Sequence, residues 1–371
     1  MHMGSTTTER TIDTGVFLPV GNGGWIISTT TPDVPATYGY NREVTRLAEE
    51  LGFDFALSMA KWRGYGGPSQ HWDYTIESLS TMGALAEATE RIKLWGTVHT
   101  MVWHPAVVAK MVATLDQVSG GRVGLNLVSG SNPFDQGQMG LWKDIGHAER
   151  YALAEEWITV AKRLWSEDRV DHSGTHFTLE DCVSRPKPSA MPTIISAGTS
   201  DTGLEFAIRN CDVCFVSGSD EQTLRQMGER VRRISAEVGK EAKIYALFMV
   251  IPGATDEEAR ERVMRYDAGV DVEAIERQAY EYSTDVKENS MRTKNLQRLE
   301  DPRAVSRSAV VGSPESIAEQ LATLIHAAPL DGVTLTFPDF IGDLRTFGEE
   351  VVPRLRDHGI VTGAEKLKVA Q

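Results

Sequence analysis

Apolar residues along this chain alternate between two spacings. Short unbroken runs occur at Gly15–Val20, Phe53–Leu57, Ile92–Thr97, Val123–Leu127, Thr193–Ala197, Val213–Val216, Ile244–Ile251 and Val333–Phe337. Runs of that length and kind read as strands covered on both faces. Between them the apolar positions fall at helical spacing. Asn41–Leu51 shows Val44, Leu47, Ala48 and Leu51 on one side, and the same holds over Ala148–Trp165, Asp201–Asn210, Thr223–Val238, Asp256–Met264 and Ile341–Leu355. Another helix opens at Ser313-Pro314, with Ser as cap and Pro in the first turn. Asp73 is expected to cap an element carrying Ile76, Leu79, Met82 and Leu85.

The best-defined unit is Pro105–Gly130. Val108, Met111, Val112, Leu115 and Val118 make one face. Pro105 suits the first helical position, where its missing N–H is no loss. Gly120-Gly121 accepts the left-handed backbone of a helix end. Eight apolar strands separated by helical sequence specify a parallel sheet and predict a closed (β/α)8 TIM barrel, with a doubly wound open sheet as the alternative. The expected organisation is a flexible tail over 1–10, a single barrel domain over 11–371 and a helical insertion near 271–303.

Composition narrows the function. The chain has 371 residues, 41% of them hydrophobic, enough for one large core. The charge balance, 38 − 52 = −14, argues against a nucleic-acid partner. No apolar run approaches the ~18 residues of a membrane span, and the first residues lack a secretory segment. Cys182, Cys211 and Cys214 are too few for a disulfide scaffold, so a reducing cytoplasm is expected. The CxxC at Cys211–Cys214 stands alone, without a second pair for zinc. There is no HExxH, facial triad, GxSxG elbow or GK[ST] loop, so neither metal nor hydrolytic chemistry is indicated.

In a barrel, ligands meet the loops that follow the strands. The polar residues there are Asn22, Lys61, Thr97, His99, Asn126, Ser129, Ser196, Ser200 and Ser217. Asn126 is an amide inside an apolar strand. It either bonds backbone or aims at a ligand. His99 and His104 read first as hydrogen-bonded structural residues. Gly21-Asn22-Gly23-Gly24 reads as a tight turn beneath a ligand rather than as a phosphate cradle.

Ser119–Gly130, SGGRVGLNLVSG, looks like the SGGRxGxNxVSG signature of the bacterial luciferase-like flavin monooxygenases. His104-Pro105 and Ala109-Lys110 match the helix before it. GVFLPVGNGGWIIS from Gly15, FDFALSMAKWRGYGG from Phe53, SAGTSDTG from Ser196, LFMVI from Leu247 and LTFPDF from Leu335 resemble the family's uracil ring-opening, pyrimidine-oxidising branch.

That resemblance implies a (β/α)8 barrel using O2 and reduced FMN, the latter supplied by a separate flavin reductase. It implies flavin contacts at Ala60, Lys61, Asn126, Arg150, Tyr151 and Ser200, and an oxygen pocket shaped by Leu57, Lys61, Thr97 and Asn126. Asn126 and Thr97 would be neutral hydrogen-bond donors to reduced oxygen, and Lys61 a cationic one. Arg150 would fork onto phosphate. The expected substrate is a pyrimidine-like or other nitrogen heterocycle. Competing readings are a family member acting on an organosulfur compound or aldehyde, or a flavin- or deazaflavin-dependent dehydrogenase. A homo-oligomer is a family expectation. The chain departs from the branch at Gly137, where a flavin-contacting Glu is expected, and at Trp62, Val102–His104 and Ser131-Asn132, which would reshape the substrate pocket.

Overall fold

The computed structural model describes residues 9–130, 133–217, 220–283 and 309–363. Eight parallel strands close on themselves: β1 Asp13–Phe17, β2 Phe55–Leu57, β3 Lys93–His99, β4 Val123–Val128, β5 Thr193–Ser196, β6 Val213–Ser217, β7 Lys243–Pro252 and β8 Gly332–Thr336. Each pairs with the next in the chain, and β8 pairs back onto β1, Val333 opposite Thr14. The outer ring is α1 Tyr38–Glu50, α2 Ser78–Ala88, α3 Pro105–Ser119, α4 His147–Ser166, α5 Asp201–Asn210, α6 Glu221–Val238, α8 Pro314–Ala327 and the helical segment 342–357, while α7 Asp256–Ala268 packs on the end of β7. The closed barrel is therefore the outcome, and the open sheet is not.

The barrel floor is aromatic. Phe55 stacks on Trp95 with centroids 4.1 Å apart, and on Tyr245 at 5.4 Å. Neighbouring strands give these rings room by having no side chain. A Cβ at Gly15 would lie 2.1 Å from Phe55, one at Gly124 would lie 2.4 Å from Trp95, and one at Gly332 would lie 2.9 Å from Tyr245. The Tyr245 hydroxyl donates to Asp13. Against the cost of burial, that bond and Lys243 hold the Asp13 carboxyl below its usual range. Phe17, Leu57, Ile195 and Phe215 pack above the stack.

The SGGR stretch is a joint. Pro105 opens α3 and Gly120 ends it at φ 65°. Arg122 then donates from Nε to Ser119 O at 2.6 Å, from Nη1 to Thr89 Oγ1 and Ile92 O at 2.9 Å, and from Nη2 to Ala86 O at 2.8 Å and Thr89 O at 3.0 Å. One planar fork thus closes the end of α2, the entry to β3 and the end of α3.

Several elements differ from expectation. Helix α2 is capped by Glu77, whose carboxylate accepts from Leu79 and Ser80 N–H. Asp73 instead accepts from Gly66 N at 3.0 Å. The last helix breaks into Gly342–Thr346, a wide turn at Phe347–Val351 and Val352–Asp357, with Pro353 in that third piece. Arg10, expected in the flexible tail, is held: its guanidinium donates to Ile325 O, Ala328 O and Leu330 O, and Arg10–Thr11 pairs with Ile360–Val361. An antiparallel hairpin, Val170–Ser173 with Thr178–Cys182, was not foreseen, because its alternation is short and polar. A helix at Val272–Ser283 fills the first part of the expected insertion, and the rest of that call lies outside the described residues. Cys211 and Cys214 are free and buried; burial raises both thiols, Cys214 to about 12, which removes the nucleophilic thiolate a redox CxxC needs.

Substituting Gly124→Ala is expected to destabilise the protein by about 1–3 kcal/mol through overpacking against Trp95. Adding Trp95→Phe, which trims the struck ring, should recover part of that loss in thermal or urea unfolding. Equal stability of Gly124→Ala and the wild type would show that the floor can yield.

Candidate active site

Strand β2 runs into Ser58-Met59-Ala60-Lys61 at the carboxyl end of the barrel. In the parallel register Thr97 of β3 lies opposite Asn126 of β4, so the two side chains share a face. Thr97 Oγ1 donates to Ser58 O at 2.5 Å, and Asn126 Nδ2 donates to Thr97 Oγ1 at 3.0 Å. The Thr97 hydroxyl hydrogen is therefore committed to backbone. Thr97, expected as a donor to oxygen, here gives that hydrogen to Ser58 O and receives the Asn126 amide. Asn126 Oδ1 is buried without a hydrogen-bond partner among the described residues. Leu57 is also buried and forms wall rather than polar surface.

One turn along, His99 Nε2 meets Ala60 O at 3.2 Å, and Gln136 Nε2 meets His99 Nδ1 at 2.8 Å. Gln136 belongs to the short helix Pro133–Gly137. Its neighbour Asp135 accepts from Trp62 N at 2.9 Å and Arg63 N at 2.7 Å. Lys61 Nζ lies 3.8 Å from Asp135 and 3.8 Å from Glu281, and 4.6 Å from the Tyr65 ring centroid. The Lys61 side chain is 6% exposed and that of Glu281 0%. The ammonium is thus buried and charge-matched, yet too far from either carboxylate for a direct hydrogen bond. Sequence reasoning missed Asp135, Gln136 and Glu281. The first two lie in a polar turn, and Glu281 lies in a stretch that reads as irregular. The carboxylate expected at position 137 is absent there, but Asp135 brings one to the same turn. Gly137 is exposed, and a Cβ on it would meet only Trp142 Cβ, at 3.8 Å.

The proposed phosphate end is less unified than the sequence suggests. Tyr151 and Ser200 come together: a Cβ at Gly198 or Gly203 would lie 2.4 or 2.6 Å from the Tyr151 hydroxyl. Ser200 caps α5, its Oγ accepting from Gly203 N at 3.1 Å. Arg150 is buried at the start of α4, lies over Trp142 at 5.5 Å and donates to Ile145 O at 3.1 Å. His104 is the α3 cap, as its structural reading anticipated. Asn22 pins a turn, donating to Gln70 O and accepting from Tyr74 N. Trp62 is 36% exposed, and Ser131-Asn132 lie outside the described residues. The residues present suit a reduced flavin: an unpartnered buried acceptor at Asn126 for a ring N–H, a buried cation at Lys61, and hydroxyls with a helix N-terminus at Tyr151–Ser200 for an anionic tail.

A loop from Lys61 to Thr75 roofs this end. His71 stacks between Tyr65 and Trp72, at 6.3 and 4.9 Å. Trp72 sits at φ 59° and donates Nε1–H to Gly24 O at 2.7 Å. Asp271, at the start of the Val272–Ser283 helix, accepts from Ser69 N at 2.7 Å and ties the loop to that helix. Burial pushes the His71 imidazole down to about 3, against the pull of Asp271. In the unfolded chain it titrates near 6.5. Between those values the unfolded state binds the extra proton, so stability rises with pH there and is complete above about 6.5. We expect stability to fall as pH drops from about 6.5 towards 3, and His71→Phe to flatten part of that limb in urea unfolding at stepped pH. An unchanged slope would show that His71 protonates freely in the folded protein.

Comparison with known proteins agrees with this fold. The family model described as luciferase-like monooxygenase matches residues 12–332. The pyrimidine monooxygenase RutA of Acinetobacter baylyi is 37% identical over 344 residues, covering 91% of this chain and 93% of that protein. RutA of Stutzerimonas stutzeri is 38% identical, covering 96% and 99%. Among solved structures, the riboflavin lyase RcaE superposes with a TM-score of 0.83 at 21% identity, covering 96% of each chain, which supports the fold alone. The chain belongs to the luciferase-like monooxygenase family and is an enzyme of that monooxygenase type.

Proposed function

We propose that this enzyme uses O2 and reduced FMN, delivered by a separate flavin reductase, to oxygenate and open the ring of a pyrimidine or closely related nitrogen heterocycle. The observation that carries the reading is the buried Ser58–Thr97–Asn126 chain beside Lys61, at the mouth of a barrel whose relatives named for pyrimidine oxidation match nearly its whole length. Bound reduced FMN supplies the electrons that activate O2. The protein supplies position and dryness. Leu57, buried in the barrel wall, would keep water from the bound ring. Thr97 fixes the Asn126 amide, whose oxygen accepts a ring N–H and whose second N–H remains for reduced oxygen. Lys61, held by Asp135 and Glu281 without direct hydrogen bonds, can turn an N–H to a substrate carbonyl and stabilise charge growing there. Ala60 would back the ring, and Arg150, Tyr151 and Ser200 would hold the phosphate.

Protein mixed with photoreduced FMN, uracil and isotopically labelled O2 should yield a ring-opened product carrying one labelled oxygen atom; oxidation of flavin without labelled product from any pyrimidine would refute the substrate class. Asn126→Ala should slow product formation by ~10²–10³ while folding normally. A variant with a lowered melting temperature but normal product per flavin oxidised would make Asn126 structural. Arg150→Ala should weaken FMN binding by about 1.5–3 kcal/mol and spare riboflavin; equal losses for both would remove Arg150 from the phosphate site.

A further inference from the structure

Two relays leave the turn after β2 side by side. The Ser58 and Ala60 carbonyls accept from Thr97 and His99, which lie two residues apart on β3. A carbonyl oxygen only accepts. Thr97 must therefore give its hydroxyl hydrogen to Ser58, and His99 must give its Nε2–H to Ala60. Burial disfavours the imidazolium at His99, so Nδ1 carries a lone pair and must accept in turn. Its partner, Gln136 at 2.8 Å, then has to present nitrogen. Asn126 presents nitrogen to Thr97 for the same reason. Neither amide can flip without setting oxygen against a lone pair. Each relay thus ends in an amide oxygen that faces away from it, and Asn126 Oδ1 and Gln136 Oε1 are both buried with no partner among the described residues.

Gln136 itself is 0% exposed. Its Oε1 lies beside Gly130, at the carboxyl end of β4. A Cβ on that glycine, which has φ 104°, would sit 3.6 Å from Oε1 and 2.3 Å from Met101 Cε. The Met101 methyl fills the place of that missing side chain, so a ligand reaching Oε1 from the end of the barrel where ligands bind displaces the flexible Met101 side chain.

We propose that Gln136 is a specificity-determining residue whose Oε1 accepts a ring N–H of the substrate, with His99 as the positioning residue that fixes the amide. The ligand class is a cyclic amide, imide or ureide, selected over N-alkylated analogues because those leave a buried acceptor unpaired. The choice of substrate rather than flavin as the N–H donor rests on the functional reading above.

The test is equilibrium binding to the protein loaded with oxidised FMN, followed by flavin absorbance, of uracil against its N1,N3-dimethyl analogue. Wild type should prefer uracil by about tenfold or more. Gln136→Leu and His99→Phe should each collapse that ratio to about twofold or less, with FMN affinity unchanged. His99→Gln, whose amide can donate to Ala60 and accept from Gln136, should restore part of it. A preference that survives Gln136→Leu is steric and overturns the proposal. So does a wild type without preference, or a Gln136→Leu protein that loses FMN affinity at an unchanged ratio, which would assign Oε1 to the flavin. Turnover of uracil by the wild type is read separately: its absence would refute the functional reading, while the binding ratio would still decide Gln136.

Discussion

The site stands on a steric exchange inside the barrel. Three large rings, Phe55, Trp95 and Tyr245, fill the floor because Gly15, Gly124 and Gly332 on adjoining strands leave the space to them. Interiors pack at crystal-like density, so the exchange cannot be relaxed at one strand alone. With the floor solid, the next inward positions on β3 and β4 are lifted to the mouth, and Thr97 and Asn126 appear there as a polar pair above an apolar layer. Had the floor been built of aliphatic residues spread over all strands, the same amide would have had neighbours on every side.

Most of the architecture was legible because buried parallel strands and amphipathic helices leave different spacings, and nothing in the barrel overrides them. The closed ring, the order of its strands and the cap and stop of α3 all follow from local chemistry. The failures were local too. Asp73 has the residue type of a cap, but Glu77 lies nearer the first apolar turn and its longer side chain reaches two N–H groups. The hairpin after α4 lacks an apolar run to announce it. Arg10 gave no sign of its role, since its three carbonyl partners lie more than three hundred residues away.

The site was half legible. Asn126 is conspicuous as an amide among aliphatics, and Lys61 as a cation after a buried strand. Their settings were not, because the partners are backbone carbonyls and carboxylates from turns that no spacing joins. Thr97 was expected as a donor to oxygen, and its hydroxyl lies bonded between Ser58 O and the Asn126 amide. Lys61 was expected as a lone cation and is held between Asp135 and Glu281, one from each of two separate segments. The roles changed when the hydrogens were counted, and only the fold says which acceptors are near.

The Arg122 fork carries a further consequence, for the order in which the barrel assembles. All five of its acceptors lie within 36 residues upstream. Contacts so short in sequence close at small entropic cost and form early. The segment from α2 to β4 can thus settle while β7 and β8 are still being synthesised. The strands that end in Thr97 and Asn126 would then be a template on which the later half docks, and ring closure at β8 and β1 would be the last and slowest event.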